Sequence, residues 1–102
     1  MSKFVQVAKL SEIPDQTARC VQVEGRSIAL FNLGGQLYAI DDTCTHEGGP
    51  LSDGLIHGDE VECPWHGARF NIATGEVTLD PATEGVAKYK LRLNGDEIEV
   101  EV

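Results

Sequence analysis

Two short runs of this chain carry donor atoms suited to a metal centre: Cys44-Thr45-His46 and Cys63-Pro64-Trp65-His66. Cys-x-His places a thiolate and an imidazole on the same side of an extended loop, and Cys-x-x-His does so around a tight turn. Sixteen residues lie between His46 and Cys63, so two such loops facing each other would close a four-ligand site. Taken by type alone, such mixed sulfur and nitrogen donors put a structural zinc ion first.

Other chemistries find little support. A non-haem iron oxygenase centre needs two histidines and a carboxylate. The chain has three histidines, and with His46 and His66 used only His57 remains. There is no Gly-x-Gly-x-x-Gly after a strand to cradle a dinucleotide, and no Ser-His-Asp arrangement. His57, in Ile56-His57-Gly58-Asp59, reads as a surface residue at a turn. Cys20, in Arg19-Cys20-Val21-Gln22-Val23, reads as a structural or partly exposed thiol on a strand.

The elements around these loops follow a two-residue period broken by Gly, Pro and Asn-Gly, which predicts an all-β domain of short antiparallel strands. Strands are expected near Phe4–Ala8 and Arg19–Glu24, with Arg26–Leu33 and Gln36–Asp41 joined through Gly34-Gly35. Ser11–Asp15 reads as a turn, since Pro14 and the short apolar spacing do not support a long helix. At the C-terminus Asn94-Gly95 is the preferred type I′ pair. Folding about it sets Arg92 opposite Glu97, Lys90 opposite Glu99 and Lys88 opposite Glu101, with Leu91 against Ile98 and Tyr89 against Val100. From Asp42 to about Thr74 the periodicity fades into two loops, with short strands near Val61–Cys63 and Arg69–Ile72.

With 102 residues the chain fits one domain, and 41% hydrophobic content argues against disorder. A formal charge of −9, from 17 acidic and 8 basic residues, repels nucleic acid and anionic lipid and favours partners with basic faces. The N-terminus has no apolar leader and no stretch reaches membrane-spanning length, so a cytoplasmic, unanchored protein is expected. Three cysteines cannot all pair among themselves, and a reducing compartment favours metal ligation.

Beyond the donors, the two runs resemble the loops of the Rieske family: Cys44-Thr45-His46-Glu47-Gly48-Gly49-Pro50-Leu51 and Cys63-Pro64-Trp65-His66-Gly67-Ala68-Arg69-Phe70. Pro81-Ala82 resembles that family's proline loop. The likeness covers essentially the whole chain and is nearest to the soluble ferredoxins of aromatic-ring dioxygenases. It implies an antiparallel β-sandwich over residues 1–102, with a cluster-binding subdomain of about 42–74 inserted in it. It implies one 2Fe–2S cluster, with Cys44 and Cys63 on one iron and His46 and His66 on the other.

Members of high potential carry two further loop cysteines, joined as a disulfide, where this chain has Gly49 and Trp65. They also carry serine and tyrosine hydroxyls that donate to cluster sulfurs, where this chain has Ala68 and Phe70. The resemblance thus implies a low potential, roughly −150 mV at the lower end of the range known for such centres. Trp65 either packs around the cluster or, with Pro50, Leu51 and Pro81, forms an apolar docking rim. The implied role is a one-electron carrier, not an enzyme, taking electrons from a flavin-containing reductase to a terminal Rieske oxygenase. A monomer is expected. The alternatives are a Rieske-like small subunit of a larger reductase, such as assimilatory nitrite reductase, and a zinc-bound structural module.

Overall fold

The computed structural model describes residues 3–44, 49–65, 67–79 and 84–102. Its strands follow one another as β1 (Phe4–Lys9), β2 (Thr17–Val23), β3 (Arg26–Leu33), β4 (Gln36–Asp41), β5 (Leu55–His57), β6 (Glu60–Glu62), β7 (Arg69–Asn71), β8 (Val77–Leu79), β9 (Lys88–Tyr89), β10 (Leu91–Asn94) and β11 (Glu97–Glu101). They form three antiparallel sheets, ordered β1-β11-β10, β2-β3-β4-β9 and β5-β6-β7-β8. The helical turns among the described residues are two 3₁₀ segments, Leu10–Glu12 and Leu51–Asp53. None is long and apolar enough to cross a membrane. The all-β expectation stands.

The β3–β4 hairpin turns where its glycines require. Leu33 pairs with Gln36, and Gly34 and Gly35 sit at φ 65° and 92°, the positive values a type I′ turn needs at both central positions. β3 explains the layering. Ile28 and Leu30 join one core with Ala8, Val21, Leu37, Ile98 and Val100. Ala29 and Phe31, on the opposite face, join another with Ile40, Leu51, Val61, Phe70, Cys44 and Cys63. A strand covered on both faces reads as a continuous apolar run, which is what Ile28-Ala29-Leu30-Phe31 is. The middle sheet is thereby packed between the outer two.

The C-terminal hairpin departs from expectation by two residues. Arg92 pairs with Glu99, Leu93 with Ile98 and Asn94 with Glu97, leaving Gly95-Asp96 as the turn. Asn-Gly-Asp offers two loops, and the fold uses Gly-Asp, with positive φ (66°) at Gly95 as the first position of a type II′ turn requires. A shift of two preserves face parity, so charges still meet charges. The strand expected from Lys88 onward is also divided. Lys88 and Tyr89 pair with Ile40 and Ala39 in the middle sheet, and the chain changes sheet at Lys90. The Tyr89 hydroxyl donates to Asp41 at that crossing.

Two further strands, β5 and β8, were not anticipated. Each is three residues long, too short to show an alternation of its own. Leu51 is fully buried, so it belongs to the core and not to an exposed rim.

Candidate metal centre

The two cysteine loops are built alike. In the first, Cys44 N–H donates to the Gly49 carbonyl at 2.8 Å, and Thr43 bridges Pro50 just outside it. In the second, Cys63 N–H donates to the Ala68 carbonyl at 2.7 Å, and Glu62 pairs with Arg69 just outside it. Each loop thus spans from a cysteine to the residue five positions on. Gly67, at φ 78°, donates back to the Cys63 carbonyl at 3.1 Å, a turn that favours glycine.

Both cysteines point inward. Cys44 is 2% exposed and Cys63 is 3% exposed, and neither is in a disulfide. The loops meet at Gly49. A β-carbon there would stand 2.7 Å from the Cys63 sulfur and 3.1 Å from Cγ of Trp65. Gly49 and Trp65, paired by the resemblance, are therefore neighbours in space. Trp65 covers Gly49 while remaining 55% exposed. Ala68 and Phe70 are fully buried beside them.

His46, His66 and the Pro81-Ala82 segment lie outside the described residues, as do Thr45, Glu47 and Gly48. His57 ends β5 opposite Glu60, beside the turn at Gly58-Asp59, and its Nε2 lies 2.9 Å from Glu62 Oε1. Val61 and Cys63 face inward and Glu62 faces outward, so His57 sits on the outer face, away from the cysteines. Cys20 is exposed on β2. Partial burial pushes its thiol up from the ordinary value of 9.0, as does its hydrogen bond to Asp42.

Residue-type reasoning passed over the polar neighbours of these loops. Glu62 lies between His57 and Arg69, with Arg69 Nη2 at 3.4 Å, and Glu60 stands 3.9 Å from Arg69 Nη1. Reading residues 63–68 as a hairpin loop would have found this cross-strand pair of opposite charges. Asp42 is buried, and its carboxylate accepts the Ser52 N–H at 2.7 Å.

The donor chemistry suits a shared iron–sulfur group. Two buried thiols sit on separate loops, and Gly49, against the Cys63 sulfur, lacks the β-carbon that would crowd it. The Rieske [2Fe-2S] domain family model matches residues 3–90. The ferredoxin component of a naphthalene 1,2-dioxygenase system from Pseudomonas aeruginosa is 35% identical over 100 residues, covering 98% of this chain and 96% of its own. Among solved structures, the ferredoxin of carbazole 1,9a-dioxygenase from Nocardioides aromaticivorans IC177 superposes with a TM-score of 0.91 at 32% identity, over 96% of each chain. A chain from a complex of reduced oxygenase and oxidized ferredoxin in carbazole 1,9a-dioxygenase gives 0.89 at 35% identity, over 95% of this chain and 91% of that one. The chain belongs to the Rieske family, whose cofactor is one 2Fe–2S cluster.

Proposed function

We propose that this protein is a one-electron carrier delivering electrons from a flavin-containing reductase to a terminal Rieske oxygenase. The observation that carries the reading is its similarity, over nearly the whole chain, to proteins named as ferredoxin components of dioxygenase systems. Cys44, His46, Cys63 and His66 hold the cluster, with the cysteines on one iron and the histidines on the other. When bound, the cluster supplies a site for a single electron. The chain works as one domain over residues 1–102, with its cluster-binding part at about 42–74. It acts in the cytoplasm as a monomer.

The chain's own residues set the conditions. Burial of Cys44 and Cys63 excludes water and strengthens the electrostatics around the thiolates. Ala68 and Phe70 offer no hydroxyl to the site, which leaves added negative charge less stabilised and the potential low. Exposed Trp65 presents apolar area on the second loop, as interface centres often do. The net charge of −9 steers the protein toward basic docking faces and makes association fall with salt.

The test is reconstitution. The cluster-loaded protein, mixed with NADH, a flavin-containing reductase and a Rieske dioxygenase, should bleach in the visible and support substrate oxidation. Bleaching by dithionite, with no reduction through any of a panel of such reductases, would overturn the carrier reading.

A further inference from the structure

Asp42 is the one charged residue buried among those described, at 6% exposure. A buried carboxylate is costly unless hydrogen bonds satisfy it, and this one sits at the mouth of the first cysteine loop. Its N–H donates to the Ser27 carbonyl of β3 at 3.0 Å, and its carbonyl accepts the Leu51 N–H at 2.6 Å. Its Oδ1 accepts the Ser52 N–H at 2.7 Å. One residue therefore ties the entering and leaving strands of the loop to each other and to the middle sheet.

The second loop does not need such a tie. It rises from three paired positions of β6 and β7, Glu60 with Asn71, Val61 with Phe70 and Glu62 with Arg69. The first loop has a single bridge, Thr43 with Pro50, and proline has no N–H to extend a ladder. Beyond Pro50 the chain turns into the Leu51–Asp53 3₁₀ segment. The Asp42 carboxylate and carbonyl supply what a strand pair would have supplied.

We propose that Asp42 is the positioning residue of the first ligand loop, fixing through Ser52 and Leu51 the segment that bears Cys44 and His46. This rests on the reading of those residues as ligands. Groups that orient metal ligands without touching the metal commonly change metal retention by about 10–100-fold when removed.

The test uses the cluster-loaded protein, with the EPR spectrum of the reduced form and the rate of cluster loss to a chelator as readouts. Asp42→Ala should lose its cluster about tenfold faster and show shifted g-values. Asp42→Asn, whose amide oxygen can still accept the Ser52 N–H, should restore both. Val23→Ala, a core truncation in the other cluster of buried residues, should lower stability while keeping the native g-values. Should Asp42→Ala not fold, Ser52→Pro removes the donor of the same bond and carries the test. Native g-values and loss rate in Asp42→Ala would overturn the proposal, as would Asp42→Asn behaving like Asp42→Ala. The ligand reading fails separately, if Cys44→Ser keeps the native spectrum.

Discussion

Gly49 and Cys63 belong to different loops, yet the sulfur of Cys63 occupies the space in which a β-carbon of Gly49 would need to stand, at 2.7 Å. Trp65 crowds the same position at 3.1 Å, but its exposed indole can move aside. The sulfur, 3% exposed, cannot. Gly49→Ala should therefore cost about 1–3 kcal/mol, the range for overpacking a filled interior. Urea unfolding of the cluster-loaded protein measures it. Adding Trp65→Ala should recover little, because the indole is the lesser obstacle.

The observed C-terminal register makes a second test. Arg92 Nε lies 2.5 Å from Glu99 Oε1, and its guanidinium lies 4.1 Å from the centroid of the Phe4 ring. Glu99 is 15% exposed, whereas Arg92 is 58% exposed, so solvent screens much of the attraction. A double-mutant cycle on Arg92→Ala and Glu99→Ala should give a coupling of about 0.2–1 kcal/mol, decreasing with salt. The same cycle with Glu97→Ala in place of Glu99→Ala should give a coupling near zero.

That register shows where sequence reading succeeds and where it stops. Parity is set by alternation, so the inward and outward faces of β10 and β11 were legible. The turn was not, because Asn94-Gly95-Asp96 satisfies two loop geometries and only pairing with the rest of the sheet selects one. Gly34-Gly35 posed no such choice, and the β3–β4 hairpin has the register read from it. The cysteine loops were legible as loops from glycine, proline and lost periodicity. The contact of Gly49 with Cys63 is long-range and leaves no local signal. Nor could the burial of Asp42 be read, since an acidic residue beside Asp41 looks like a solvated strand end.

The two buried positions lacking hydroxyls bear on the potential. Ala68 and Phe70 are both fully buried, in the places where the resemblance puts donors to cluster sulfurs in high-potential members. The protein should titrate near the lower end of the Rieske range, roughly −150 mV. Phe70→Tyr should raise that value if its hydroxyl reaches a sulfur, and will cost stability if the hydroxyl is left unsatisfied. Protein-film voltammetry and urea unfolding of the same variant separate the two effects. A wild-type potential above about +100 mV would sink the assignment.

Cys20 and Tyr89 both make stability fall with alkaline pH. Partial burial, then the negative charge of Asp42 and the hydrogen bond to it, pushes the Cys20 thiol above its ordinary 9.0. Partial burial, then the hydrogen bond to Asp41, pushes the Tyr89 hydroxyl above its ordinary 10.0. In both, the folded protein holds the proton more tightly than the unfolded chain does. Their contribution is complete below the unfolded value and is lost as pH rises through the folded one. The urea midpoint should accordingly fall beginning near pH 9 and more steeply beyond pH 10. Whatever else titrates at high pH is common to wild type and variants. The difference between wild type and Cys20→Ser, and between wild type and Tyr89→Phe, therefore isolates each group. Both differences should shrink with rising pH, the first from about pH 9 and the second from about pH 10. A raised thiol value also leaves little thiolate at neutral pH, so Cys20, although exposed, should alkylate more slowly than a peptide thiol at pH 7.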